Sequence, residues 1–226
     1  MLDNEQMTGM ANSGAASTLP TSETIRLLAN RVSVRKYTDQ PVPAAMVEAV
    51  LRAAFRAPTS SNIQSYSVIV VRDRDILGRL AVVTGNQRHV VEAPVFLGFC
   101  ADMTRIEHAM LARGNDIDGN NLEMSLVTSI DAALVGMSAT LAAESLGLQG
   151  VMIGAVRNDA LATANILGLP NRVYCVFGLC VGWPAETPPQ KPRLPYDAMV
   201  HYEHYGALRN STVMAEAVAR YDGELA

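Results

Sequence analysis

Residues 122–154 read LEMSLVTSIDAALVGMSATLAAESLGLQGVMIG and carry the clearest structural signal in the chain. The first part has apolar residues at helical spacing and predicts one long helix from Leu122 to Leu146, which Gly147 ends. A short strand, residues 150–153, is predicted to follow. The apolar stripe of the helix is expected to consist of Leu126, Ile130, Leu134, Met137 and Leu141.

This predicted helix is apolar or small on nearly every side, so it has to be covered all round. Either its own domain wraps it or a second subunit covers part of it. Glu123, Asp131 and Glu144 interrupt the apolar run, and hydrocarbon does not accept such charges without partners. The pattern therefore indicates a buried helix and no membrane span.

Outward from this stretch, helices and strands are mixed without strict alternation. Ser22 is placed to cap a first helix, and Pro43 to begin a second. Further helices are predicted at 75–83, 159–167 and 212–221, and strands at 67–71, 95–100 and 173–181. This order favours an α+β fold, a sheet covered by helices, over a doubly wound fold.

Composition narrows the class of protein. The chain has 226 residues and a net charge of −4, which argues against a nucleic-acid partner because such proteins need a basic face. Its three cysteines lie in apolar runs and predict buried thiols in a reducing compartment, hence a cytoplasmic protein. Residues 1–20 are predicted to be a disordered N-terminal segment, and residues 21–226 a single domain.

Four cations lie in two short segments. If residues 31–35 are extended, Arg31, Ser33 and Arg35 share one face, which suits a phosphate and a polarised carbonyl. Lys191 and Arg193 lie on either side of Pro192, in a loop that its prolines make stiff. These cations could converge on one anion, or each segment could be a solvated edge.

Two further features suit an uncharged, flat ligand. Thr59, Ser60, Ser61 and Ile63 lie in a loop rich in hydroxyl groups, although an ordinary turn would use the same residue types. Gly154 follows the strand that ends at Ile153, where a glycine lets a ligand approach the backbone closely.

Other reactive side chains form no recognisable site. His201, Glu203 and His204 resemble part of a metal site, but no third ligand has suitable spacing, so no metal is predicted. His108 lies in a polar region and is expected to be solvated. No catalytic nucleophile motif is present.

The order and spacing of several motifs resemble the nitroreductase superfamily, in particular its oxygen-insensitive NADPH-dependent nitroreductases and its NADPH–FMN flavin reductases. The resemblance runs from about Ser22 to Arg193. Its motifs are RVSVR at 31–35, TSSNIQ at 59–64, TGNQ at 84–87, AESLGL at 143–148, IG at 153–154, RN at 157–158, FGLC at 177–180, GWPA at 182–185 and KPRLP at 191–195.

The resemblance implies a mostly antiparallel central sheet and a homodimer that binds FMN non-covalently at the subunit interface. It implies that Arg31, Lys191 and Arg193 hold the FMN phosphate, with Arg35 and Ser33 near the flavin N1 and C2 carbonyl. Gln87 would bind the pyrimidine edge, and the backbone of Ile153 and Gly154 would reach N5. The partner subunit would contribute Thr59, Ser60, Ser61 and Ile63.

The implied activity is ping-pong electron transfer from NADPH or NADH, through FMN, to small acceptors such as nitroaromatics or quinones. The flavin performs the chemistry, so no catalytic side chain is predicted. A flavin reductase that supplies reduced FMN to a partner is the first alternative, and a flavin-binding module without turnover is the second.

Two departures from the family pattern concern the cofactors. Arg31 stands where the NADPH-dependent branch has His, although Arg occurs in other branches. Relatives also extend beyond the position of Ala226, with basic residues that bind the NADPH 2′-phosphate. We therefore expect weak discrimination between NADPH and NADH, with Arg157 as the candidate ligand of the 2′-phosphate.

Overall fold

The computed structural model describes residues 19–205 and 211–225. The predicted disordered segment, residues 1–20, therefore lies almost entirely outside the described residues. The described part is an α+β structure with one four-stranded sheet, as predicted.

The sheet has the strand order β1-β2-β4-β3, and every neighbouring pair is antiparallel. Its strands are β1 (Tyr66–Val71), β2 (Val95–Asp102), β3 (Gln149–Ile153) and β4 (Val173–Gly182). β2 is buried along its whole length because it lies between two strands and under helices on both faces. The predicted strands are all present, with small differences at their ends.

Nine α-helices lie in the described residues. They are α1 (Glu23–Ala29), α2 (Ala44–Ala54), α3 (Arg74–Val83), α4 (Arg88–Glu92), α5 (Thr104–Leu111), α6 (Leu122–Ser145), α7 (Ala160–Leu167), α8 (Tyr196–Met199) and α9 (Ser211–Leu225). Side chains of Ser22, Asp73, Asn121 and Asp159 accept backbone N–H groups at the starts of α1, α3, α6 and α7. Three short helices, α4, α5 and α8, were not predicted from the sequence.

The sheet has a hydrophobic core on each face. Alternation along β2 sends Val95, Leu97 and Phe99 towards α2 and α6, and Phe96 and Cys100 towards the opposite face. Cys100, Cys175 and Cys180 are all buried and free, as predicted. The two cores hold α6 and β3 in fixed positions relative to each other.

Helix α6 packs against the sheet through its small residues. Gly136 lies so close to β4 that a Cβ atom there would be 2.7 Å from Cε2 of Phe177. Its neighbours along the buried face are Ala132, Ala139 and Ala143. The apolar stripe predicted from the sequence instead turns away from the sheet at its N-terminal half, where Leu126, Ile130 and Leu134 are exposed together with Leu122.

Helix α6 is also, among the described helices, the one long and apolar enough to cross a membrane by length and composition. Its packing on the sheet and its buried Asp131 identify it as a core helix. Two of the three acidic residues that interrupt its apolar run have partners, Ser60 and Ser65 for Asp131 and Arg31 for Glu144, while Glu123 is exposed.

Candidate functional site

The end of β3 exposes a stretch of backbone. Ile153 is buried, while Gly154 is exposed and begins a 3₁₀ turn, Gly154–Arg157. The guanidinium group of Arg157 borders this glycine: its Nη2 lies 3.2 Å from the position that a Cβ of Gly154 would take, and its Nη1 donates to the carbonyl of Val176. A flat ligand therefore has access to the backbone here, beside a fixed positive charge.

Residues 31–36 run alongside β3, but they do not form the strand that the alternating pattern suggested. The segment makes one backbone bond to β3, from Val34 N–H to the carbonyl of Gly150 at 3.1 Å. Val34 is fully buried and Arg35 is exposed, as expected, whereas Val32 and Ser33 are both half-buried. With one bond to its neighbour, the segment lacks the ladder that would hold strict alternation.

The two cationic segments are joined in the structure. The side chain of Gln190 donates to the carbonyl of Ala29, which brings the proline-rich loop to the end of α1. Arg31 and Lys191 each lie within two residues of this contact. The loop thus places Lys191 and Arg193 on the same side of the molecule as Arg31.

Lys191 and Arg193 are available to an anion. Nη1 of Arg193 bonds to carbonyls of its own loop, at 3.2 Å from Lys191 and 3.0 Å from Pro192. In the described part of the chain, neither cation has a carboxylate within 4.0 Å, and both side chains are exposed. A phosphate would supply the missing counter-charge.

Arg31, in contrast, already has an acidic partner. Its Nη1 lies 3.3 Å from Oε1 of Glu144, whose side chain is 6% exposed at the end of α6. Burial raises the pKa of Glu144, and the charge of Arg31 opposes that rise. We did not predict this contact, although a carboxylate within an apolar helix is a signal that a partner exists.

The start of α4, which Gln87 precedes, lies near Arg35. Gln87 is half-buried and precedes the first residue of α4. Two residues later, burial and the nearby charge of Arg35 lower the pKa of His89. The start of α4 and the exposed end of residues 31–35 therefore belong to one surface, next to β3.

The hydroxyl loop lies elsewhere in the same chain. Ser60 and Ser61 are exposed on it, while Thr59 and Ile63 are half-buried. The backbone N–H of Ser60 donates to Asp131 on α6, and Arg31 contacts Glu144 at the end of α6. Along the helix these two carboxylates are about 20 Å apart, at about 1.5 Å rise per residue. Within one chain, the loop and Arg31 therefore contact α6 at well-separated positions.

His201, His204 and His108 do not belong to a recognisable metal site in the described residues. Among the described residues, no group of three or more His, Cys, Asp or Glu side chains could hold a metal ion. His201 packs its ring against Tyr205, and His108 is exposed on α5.

The chain is similar to known proteins along most of its length. The profile of the nitroreductase family matches residues 28–183. An oxygen-insensitive NADPH nitroreductase of Salmonella typhimurium is 42% identical, over 91% of this chain and 82% of that protein. An FMN reductase [NAD(P)H] of Bacillus subtilis is 37% identical, over 90% of this chain and 82% of that protein.

The fold is similar as well. The solved structure of the NfrA1 nitroreductase from B. subtilis superposes with a TM-score of 0.84 at 37% identity, and the match covers 88% of this chain and 81% of that one.

Proposed function

Because this chain belongs to the nitroreductase family, we propose that it is an FMN-dependent oxidoreductase that takes electrons from NADPH or NADH and passes them to small acceptors. Nitroaromatics and quinones are the acceptors we expect. Residues 21–226 would form one FMN-binding domain.

The observation that carries the proposal is the cationic surface at the end of α1. Lys191 and Arg193 lack a described acidic partner, and the Gln190–Ala29 contact holds their loop beside Arg31. We assign the FMN phosphate to these three residues, because a monophosphate needs charge-assisted hydrogen bonds to offset its lost hydration.

The flavin ring is assigned to the backbone at the end of β3. Gly154 is exposed there after the buried Ile153, so a ring can lie against the main chain. We assign the polar edge of the ring to Arg35, Ser33 and Gln87. When bound, FMN supplies the electron-transfer chemistry, and these residues bind and orient it.

We further propose that the site is completed by a second copy of the chain, in a cytoplasmic homodimer. The roughly 20 Å between the two carboxylates on α6 separates the hydroxyl loop from the cations of its own chain. Thr59, Ser60, Ser61 and Ile63 would then serve the flavin of the partner. The exposed stripe of α6 supports this arrangement, because it offers an apolar surface for the contact.

Arg157 is our candidate for a contact to the 2′-phosphate, the group that distinguishes NADPH from NADH. Its guanidinium group lies at Gly154, the assigned ring position, and is already bonded to the carbonyl of Val176. One such exposed contact is worth about 1 kcal/mol or less. We therefore expect NADPH to be favoured over NADH by less than about tenfold in kcat/KM.

The test is a visible spectrum of the purified protein followed by anaerobic titration with NADPH and NADH separately. We expect a bound flavin that bleaches rapidly with either donor. A colourless protein that takes up no FMN would refute the assignment, and a flavin that does not bleach would indicate a binding module. High turnover with free FMN, but none with nitroaromatics, would favour a flavin reductase.

A further inference from the structure

The loop that carries Thr59, Ser60 and Ser61 has an unusual backbone. Ser61, Asn62 and Gln64 have φ angles of 48°, 56° and 59°, in the left-handed region that residues other than glycine rarely adopt. Such conformations persist where the surrounding structure holds them. A neighbouring group is therefore expected to hold this loop in place.

Asp131 contacts the loop on both sides of the left-handed residues. Its side chain lies on the buried face of α6, and the residue is 1% exposed. Oδ1 accepts the backbone N–H of Ser60 at 2.9 Å, and Oδ2 accepts that of Ser65 at 3.2 Å. Each carboxylate oxygen therefore fixes one end of the turn.

The carboxylate and the loop depend on each other. A buried carboxylate requires hydrogen-bond donors, and no Lys or Arg nitrogen in the described chain lies within 4.0 Å of Asp131. The backbone N–H groups of Ser60 and Ser65 are donors that it does have. Arg105 adds a contact from the outer side, donating to the carbonyl of Gln64 at 3.1 Å.

We propose that Asp131 is a positioning residue of the FMN site: its carboxylate preorganises residues 59–65, so that their hydroxyl and backbone groups meet the flavin without a further ordering cost. This inference rests on the proposed function. It assigns no contact with the flavin to Asp131 itself, which acts through the loop.

The first experiment compares Asp131→Asn with Asp73→Asn in the full-length protein. The amide keeps one acceptor oxygen but turns its NH₂ group towards the second backbone N–H. Asp73 is the control: it also accepts two backbone N–H groups, from Asp75 and Ile76 at 3.0 Å at the start of α3, but both at Oδ1, so the amide oxygen of Asn keeps both bonds.

FMN is titrated into each apoprotein and followed by quenching of flavin fluorescence. We expect the Kd to rise at least tenfold in Asp131→Asn and to stay within twofold of wild type in Asp73→Asn. At saturating FMN the kcat of Asp131→Asn should recover, because a misplaced loop weakens binding, whereas a misfolded protein loses turnover. An unchanged Kd, or equal losses in the two variants, overturns the inference.

A second pair of variants tests the hydrogen bond from the side of the loop. Ser60→Ala removes the hydroxyl group, and Ser60→Pro removes the hydroxyl group and the N–H that Asp131 accepts. Thr59 has φ −132° and ψ 155°, a conformation that a following proline tolerates. We expect Ser60→Pro to bind FMN at least fivefold more weakly than Ser60→Ala, and equal affinities contradict the proposal.

Hydrogen exchange gives a readout that does not depend on flavin. In the apoprotein, the amides of Ser60 and Ser65 should exchange faster in Asp131→Asn than in wild type, while those of β2 remain protected. Unchanged exchange at both serines overturns the inference. If wild-type protein binds no FMN, the proposed function fails instead, and the exchange result still reports on the loop.

Discussion

Glu144 shows how a single residue alters the electrostatics of the candidate phosphate site. Its carboxylate lies 3.3 Å from Arg31, so this cation is partly neutralised before any anion binds. Lys191 and Arg193 have no such partner among the described carboxylates. The three cations assigned to one phosphate are therefore not equivalent.

This difference predicts distinct effects for two substitutions. Arg193→Ala should weaken FMN binding by about 1.5–3 kcal/mol, the range for a lost hydrogen bond to a charged group, with little effect on stability. Arg31→Ala should weaken FMN binding less and also lower the Tm, because it leaves a buried Glu144 without its partner. Titration with FMN and thermal melts of the apoproteins measure both effects.

Riboflavin is the control ligand for these variants, because it lacks the phosphate. Its affinity should change much less than that of FMN. Equal losses for the two flavins would place Arg193 and Arg31 away from the phosphate.

Glu144 also predicts a pH dependence of stability. Burial raises its pKa in the folded protein above the ordinary 4.5. The folded state therefore binds this proton more tightly than the unfolded state, so the contribution to stability is complete below pH 4.5 and is lost as the pH rises through the raised pKa. Glu144→Gln keeps an oxygen for Arg31 but does not titrate.

We expect the Tm of wild type, relative to Glu144→Gln, to fall as the pH is raised from 4.5 through the raised pKa. Thermal melts of the two apoproteins in the same buffers measure this difference. A difference that does not vary with pH would mean that Glu144 is not desolvated in solution.

At the scale of elements, the position of α6 on the sheet depends on Gly136. A side chain there would clash with Phe177 on β4, whose ring also stacks on Phe99 at a centroid distance of 5.3 Å. The aromatic pair occupies the space that the missing side chain leaves. Helix and sheet approach closely because both the small residue and the rings are present.

Gly136→Ala should therefore destabilise the protein by about 1–3 kcal/mol, despite the higher helix propensity of alanine. Gly78→Ala is the matched control: it lies within α3, and a Cβ there would meet nothing within 4 Å. That change should be neutral or stabilising by up to about 1 kcal/mol. Denaturant unfolding of both variants gives the comparison, and a stable Gly136→Ala would show that α6 can move away from the sheet.

At the scale of the whole molecule, the exposed stripe of α6 is the surface we expect to join two copies. Leu122, Leu126, Ile130 and Leu134 are 39–74% exposed at successive turns of the helix. A run of large aliphatic side chains on one face is unusual for the surface of a monomer. The hydroxyl loop is bonded to the same helix.

Leu126→Arg should therefore shift the protein from dimer to monomer and release FMN at the same time, because each site needs both chains. Leu161→Arg is the control, since Leu161 is 73% exposed on α7, away from the stripe. Light scattering after size-exclusion chromatography, with flavin absorbance recorded on the same peak, measures both quantities. A monomeric variant that retains one FMN per chain would contradict the shared site.

Features that depend on neighbouring residues could be predicted from the sequence alone. The bounds of α6, the cap at Ser22 and the glycine stops at Gly147 and Gly168 follow from periods and backbone conformations that act within a few residues. The antiparallel sheet and the FMN-dependent activity came from motif order through the family resemblance.

Contacts between distant residues, in contrast, are visible only in the folded chain. Arg31 contacts Glu144, and Ser60 contacts Asp131, across long stretches of chain that carry no periodic signal linking them. The fold also determines which side of α6 faces the sheet, because an almost uniformly apolar helix has no sequence pattern that would orient it. There, close packing placed the small residues inside and left the large aliphatic stripe exposed.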